Sequence, residues 1–402
     1  MSSLLLPSVP PTHPAVAITA GPRQPLKIIQ LPTLPPAPAE ALIHVTWTSS
    51  TPLDLHRADG GLLIDTAALA TEPFIMGGSF GGTVVALGPT PAGSAPCHLS
   101  VGDAVFGFTQ DGLPAEATFQ TYITVPTYKV SKLPAGLALR EAVTAPTNLV
   151  TAVHTLTHDL GLALPWPLPD GWAPAERDHT VLVWGAASSV GMYVLQVLRH
   201  WGYRNVLGVA SAKHHALLKG LGAKECFDYR EPGVVERILE YVDRAAAAGA
   251  AEGKKSDGPK VPFIVDCIGS REGTLRPLSK IAERGSKVAV MMPVINVHAR
   301  EDQVPEYEMD INKVLVGEWK EGVELLGTRT FFYARNEFLK DHLQPEIIPA
   351  LLEQGVVKPN PQRVIEGKTL LERAENALSV LRNQAQSGEK LVWRVADDED
   401  SN

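Results

Sequence analysis

The residues best suited to chemistry stand in one tract. A hydrophobic run, Val181-Leu182-Val183-Trp184, leads into Gly185-Ala186-Ala187-Ser188-Ser189-Val190-Gly191. Val190, Val194, Val197, Leu198 and Trp201 then recur at helical spacing on one face. Small side chains in such a turn let the backbone approach a phosphate. N–H groups without partners and the positive end of the helix dipole favour its charge. Ala187, Ser188, Ser189, Val190 and Gly191 are therefore candidate pyrophosphate contacts. The usual G-x-G-x-x-G is degraded here, so the pattern alone also fits a plain strand–turn–helix.

A dinucleotide site selective for NAD places an acid about 20 residues beyond the glycine loop, on the ribose 2′-hydroxyl. From Gly185 through Lys224 there is no Asp or Glu. The second strand, residues 205–209, opens instead into Ser211, Lys213 and His214. A carboxylate would repel a 2′-phosphate, whereas Ser211 donates a hydrogen bond and Lys213 supplies a point charge. NADPH is the expected cofactor. Tyr229, just past the third strand, offers a hydroxyl to the same phosphate or an apolar wall. Lys213 and Lys219 also fit an ordinary solvated helix face.

Composition narrows the classes. The formal charge of −8 and the lack of any Lys/Arg cluster argue against a nucleic-acid surface. No stretch approaches the ~20 apolar residues of a membrane span, and no secretory signal is expected. Cys97, Cys226 and Cys267 are odd in number and far apart, which fits a reducing compartment, the cytoplasm, and no disulfide framework. None of the 12 His is read as part of a paired-ligand spacing, so no metal is expected.

These residues must be positioned by two kinds of element. Residues 1–14 read as a tail, and 15–150 as short β-rich segments between Pro and Gly turns. Residues 151–325 alternate helices with strands at 181–184, 205–209, 225–227, 263–267, 287–292 and 324–326, which implies a doubly wound parallel six-stranded sheet. Two insertions interrupt it, 160–178 and 245–260, the latter read as a surface excursion. Residues 326–402 return to the first domain through a helix at 369–383 and a last strand at 390–395.

A β domain, an inserted dinucleotide domain and a returning last strand together resemble the medium-chain dehydrogenase/reductase superfamily. The resemblance is nearest to the trans-acting enoyl reductases of fungal polyketide synthesis, the lovastatin type. It rests on Thr51-Pro52-Leu53-Asp54, the loop 185–191, Gly222-Ala223-Lys224-Glu225-Cys226-Phe227-Asp228-Tyr229-Arg230, Val265-Asp266-Cys267-Ile268 and Ser387-Gly388-Glu389-Lys390-Leu391-Val392. It implies an α/β protein with a GroES-like β-barrel and a Rossmann domain. Thr51, Pro52, Leu53 and Asp54 would hold the nicotinamide end, although most relatives carry Asn where Thr51 stands. His56, where some relatives have Lys, is read either as the proton donor or as a packing histidine. Thr147, Asn148, Leu149, Val150 and Thr151 would line the substrate, or Asn148 and the threonines would cap a helix. Leu326, Gly327, Val392 and Trp393 would give backbone contacts to the nicotinamide, with core packing as the other reading of Trp393.

Zinc-dependent members carry a Cys near Ser50-Thr51 and Gly-His-Glu where this chain reads Gly77-Gly78-Ser79, and their structural zinc takes four close Cys where only Cys97 is found. Zinc-free hydride transfer to an activated double bond is therefore expected. The implied function is an NADPH-dependent enoyl reductase acting on an α,β-unsaturated polyketide thioester presented by a synthase carrier protein, and the resembled enzymes are monomers. A free quinone or enone reductase, and a non-catalytic NADPH-binding protein, are the alternatives.

Overall fold

Runs of β-branched residues cut by turns dominate the first part of the chain. In the computed structural model, which describes residues 9–396 apart from 94–95, 111 and 252–257, they give β1 (Thr12–Ile18), β2 (Lys27–Pro32) and β3 (Glu40–Ser50). Helix α1 (Pro52–Gly60) follows, then β4 (Phe74–Ile75), β5 (Ser79–Leu87), β6 (Ala104–Phe108), β7 (Tyr122–Pro126) and β8 (Val130–Lys132). Helices α2 (Leu139–Ala142) and α3 (Pro146–His154) lead out of this part. Strands β9 (Val181–Trp184), β10 (Val206–Val209), β11 (Glu225–Phe227), β12 (Phe263–Asp266) and β13 (Lys287–Met291) alternate with α4 (Ser189–His200), α5 (His215–Leu221), α6 (Val234–Ala251) and α7 (Arg276–Ile281). A hairpin of β14 (Val294–Val297) and β15 (Glu306–Glu308) precedes β16 (Glu324–Thr328). The chain ends with α8 (Glu337–His342), α9 (Ile348–Glu353), β17 (Gln362–Val364), α10 (Leu370–Arg382) and β18 (Lys390–Arg394).

Two compact units result. One comprises residues 1–150, 299–305 and 334–402; the other comprises 151–298 and 306–333. The second unit is built on a parallel sheet in the order β11-β10-β9-β12-β13-β16, the doubly wound order expected. Strands β9 and β10 are apolar throughout and wholly buried, as strands covered by helices on both faces should be. The expected 245–260 excursion needs correction: residues 245–251 continue α6, as an alanine-rich run with the best helix propensity should. The rest of that stretch lies largely outside the described residues. The 160–178 insertion is irregular and is tied down where Trp201 Nε1 donates to Pro165 O (2.9 Å) and Tyr203 OH to Ala163 O (3.1 Å).

In the first unit, the strands do not close into one barrel. They form a seven-stranded sheet, β17-β18-β3-β5-β6-β8 with β7 also on β3, and a separate three-stranded sheet, β2-β1-β4. Strand β3 is the reason. Its first half pairs with β7 and its second half with β18 along the same edge, while two register shifts against β5 bend it between them. The returning segment is held by packing and charge. Trp393 is fully enclosed, edge-on to Phe119 at 4.5 Å, and its Nε1 donates to Ser50 Oγ at 3.0 Å. Arg382 of α10 grips the buried Asp59 of α1 in two bonds of 2.7 Å. Among the described residues, no helix is long and apolar enough to cross a membrane.

Asp59→Ala leaves the Arg382 guanidinium, 24% exposed, without its carboxylate. Because Arg382 keeps some solvent, the expected loss is about 2–3 kcal/mol, below the ~3–5 kcal/mol of a fully enclosed pair. It should be read as a lower urea midpoint at unchanged slope.

Candidate functional site

The loop after β9 is shaped by what its glycines permit. Gly185 has φ +75°, and a Cβ there would stand 2.6 Å from Ile268. A Cβ at Gly191 would lie 2.5 Å from Gly185 O and 2.7 Å from Ala186 Cα, so only glycine lets α4 start this close to the turn. Gly185 and Ala186 both donate to Val209 O at 3.0 Å, and Ser188 N donates to Gly185 O at 2.8 Å. Ser188 is the N-cap of α4, its hydroxyl accepting from Gly191 N at 3.1 Å. Among the described residues, the amides of Ala187 and Val190 donate no hydrogen bond. A turn of small, half-buried residues with unused donors at a helix start fits a pyrophosphate.

At the end of the second strand, Ser211 begins a single turn that His214 N closes on Ser211 O at 3.0 Å. Lys213 is exposed and has no acid partner among the described residues, whereas Lys219 is committed to Glu225 at 2.7 Å. Two residues that sequence reasoning left unassigned complete this corner. Asp228, buried beyond β11, accepts from Ala212 N at 3.0 Å, so an acid from outside the acid-free tract does reach this corner. Arg230 grips that carboxylate with Nε at 3.1 Å and Nη2 at 2.8 Å, and holds it well below the usual carboxylate range. Its guanidinium lies 5.9 Å from the centre of the half-exposed Tyr229 ring. Partial burial and the charges of Lys213, His215 and Arg230 lower the His214 pKa. The only clue in the sequence is the local Asp-x-Arg spacing after the third strand.

Asp266, also left unassigned, ends β12 at the carboxyl edge of the sheet. It is fully buried and accepts from Ile268 N (3.0 Å), Gly269 N (3.2 Å) and Thr274 Oγ1 (2.5 Å). Burial raises its pKa to about 6 against the pull of those donors. Its role is to fix the turn that faces Gly185. Leu326 and Gly327 lie half-buried in β16, paired with Ala289 and Val290.

In the first unit, Thr51 is the N-cap of α1, with Pro52 opening the helix and Leu53 half-buried. Asp54, expected at the nicotinamide, instead accepts from Thr51 N at 2.7 Å, so its carboxylate caps the helix. It also opposes the burial that pushes the Lys390 amine down to about 8. His56 is buried one turn further on. Where zinc-dependent members place a Cys and Gly-His-Glu, hydroxyls bond to the surrounding frame. Ser50 Oγ accepts from Trp393, Thr48 Oγ1 donates to Ser79 O at 2.6 Å, and Ser79 Oγ meets Thr147 Oγ1.

The 147–151 segment lies within α3, past its Pro146 start, so Asn148 is not a cap. Its Oδ1 is buried with no hydrogen-bond partner, the kind of orphan that an amide ligand would satisfy. Leu149 and Val150, expected beside the substrate, are fully buried, as are the Val392 and Trp393 side chains. These four positions offer a ligand backbone at most. Thr151 Oγ1 meets Thr330 Oγ1 at 2.9 Å in the second unit. The reading of no paired histidines is overturned: His154 and His158 lie four residues apart with stacked rings 4.8 Å between centroids.

The pattern of the alcohol dehydrogenase GroES-like domain matches residues 37–135. The chain is 32% identical to the trans-enoyl reductase tazE of Aspergillus terreus, over 57% of this chain and 72% of that protein. It is 27% identical to lovC of the same species, the enoyl reductase component of lovastatin nonaketide synthase, over 81% of this chain and 83% of lovC. Among solved structures, the CurK enoyl reductase superposes with a TM-score of 0.68 at 18% identity, covering 96% of this chain and 99% of that one. The chain thus belongs to the trans-enoyl reductases of the medium-chain dehydrogenase/reductase superfamily.

Proposed function

We propose that the protein is an NADPH-dependent enoyl reductase that acts in trans on an α,β-unsaturated polyketide thioester carried by a partner synthase, without a catalytic metal. The observation that carries the cofactor choice is the corner formed by Ser211, Lys213, His214 and Arg230, in which the one nearby acid is already neutralised. Bound NADPH supplies hydride to the β-carbon of the enoyl group.

The chain's own residues do the rest. The Ala187 and Val190 amides hold the pyrophosphate, helped by the start of α4. Ser211 and Lys213 meet the 2′-phosphate, and Arg230 both meets it and keeps Asp228 from repelling it. The nicotinamide contacts proposed for the first unit are Thr51 with the turn it caps and the backbone of Val392 and Trp393; those proposed for the second are the backbone of Leu326 and Gly327. The orphaned Asn148 carbonyl oxygen accepts from an amide of the ligand, with Thr147 and Thr151 of the same helix as the further proposed substrate contacts. Charge develops on the thioester oxygen as hydride arrives, and the α-carbon must take a proton; His56 is the proposed donor. The family's names support the thioester substrate and the synthase partner: lovC is described as a component of a nonaketide synthase.

With an α,β-unsaturated N-acetylcysteamine thioester, the purified chain should oxidise NADPH, seen as falling absorbance. Turnover with quinones alone would move the assignment to a free quinone reductase, and tight NADPH binding without turnover on either would make it a binding protein. Lys213→Glu should raise KM for NADPH tenfold or more and leave KM for NADH little changed. Arg230→Ala should do the same while improving NADH use, because Asp228 is then free to take a ribose hydroxyl; equal losses for both cofactors would remove these contacts. His56→Gln should lower kcat about 10²-fold or more with NADPH affinity intact, the range of a lost general acid.

A further inference from the structure

We infer that His154, His158 and Asp159 form a binding site for a divalent zinc-type cation in the second unit, separate from the hydride chemistry. Their ligand atoms all lie within 4.8 Å of one another. Two histidines at i and i+4 on one helical face are a known arrangement for gripping zinc, and here the rings are stacked with only 10° between their planes. In an α-helix, a residue at i+5 would turn away from that face. The segment Thr155–Asp159 is instead a π-turn, in which Leu160 N donates to Thr155 O, five residues back, at 3.0 Å. The wider ring brings Asp159 round to the histidines, and such local departures from α geometry gather at functional sites.

The donors are in a fitting state. Among the described residues, neither imidazole has a hydrogen-bond partner. Asp159 Oδ2 accepts from Thr328 Oγ1 at 2.6 Å, the kind of outer bond that orients a ligating carboxylate. Tetrahedral zinc ligands stand about 3.3 Å apart, given bonds of about 2.0–2.1 Å. A small swing of the exposed His158 closes the difference. Three protein ligands leave a fourth position for water. The site lies where the helix ends, so the dipole favours a cation. Through Thr328, it is fastened to the end of β16, one residue beyond Gly327.

The test uses the full chain, stripped of metal by dialysis against a chelator, and reads binding rather than turnover, so it stands or falls independently of the reductase assignment. Calorimetry with zinc should give one ion per chain, and cobalt(II) should develop a visible absorption band that zinc bleaches. His158→Ala, at an exposed position, should abolish both signals. Thr328→Val should weaken zinc about 10- to 100-fold by freeing the carboxylate. His179→Ala, at an exposed histidine elsewhere in this unit, should leave binding intact. Zinc should also raise the melting temperature of the parent chain and not that of His158→Ala. No heat with zinc, or equal heat from the parent and His158→Ala, overturns the site and makes the stacked pair a packing feature.

Discussion

Position 191 has no room for a side chain, and much of the second unit depends on that. A Cβ there would collide with Gly185 O and Ala186 Cα, so its absence lets α4 begin directly over the turn that follows β9. With the helix start in place, Ser188 caps it, and among the described residues the Ala187 and Val190 amides donate no hydrogen bond. The same turn ties β9 to β10 through Val209 O and places Gly185 against Ile268, behind which Asp266 is fixed by three donors. One steric constraint thus lines up the phosphate turn, the second strand and the fourth.

In the corner after β10, net charge is set by residues from more than one stretch of the chain. An acid does reach this corner, since Asp228 accepts from Ala212 N. What distinguishes it from the acid of an NAD site is Arg230, whose two bonds occupy both carboxylate oxygens. A carboxylate so engaged has little left to offer a hydroxyl, while its partner adds a cation to Lys213.

Much of this was legible from the amino acids. The parallel strands read as short runs with apolar middles because both faces of the sheet are covered, with Glu225, Asp266, Lys287 and Glu324 at strand ends, and α10 announced itself through Thr369, which caps it by accepting from Glu372 N. What could not be read depended on tertiary meeting. The open form of the GroES-like β domain could not be read, because β3 serves two partners along one edge, which follows from bulges rather than residue type. Residues 245–251 looked like a loose excursion because Lys and Gly follow the alanines, yet local propensity carried the helix through them. Leu149 and Val150 shared a segment with plausible ligand contacts, but helical geometry turned them into the core. The His154–His158 spacing was present in the sequence, whereas the π-turn that recruits Asp159 was not.

The first unit is stitched from the two ends of the chain, and this has a consequence for biosynthesis. Trp393 bonds to Ser50 across 343 positions, and among the described residues β18 alone pairs with the second half of β3 on that edge. During translation, the second unit emerges whole and can fold while β3 still waits with a bare edge for its last partner. Closing so long a loop adds little entropy beyond what a shorter one would, so the wait costs time rather than final stability. Until residues 390–394 leave the ribosome, the nascent protein carries an open strand inviting foreign pairing. The early β-rich segment, not the nucleotide fold, is where a chaperone would be needed.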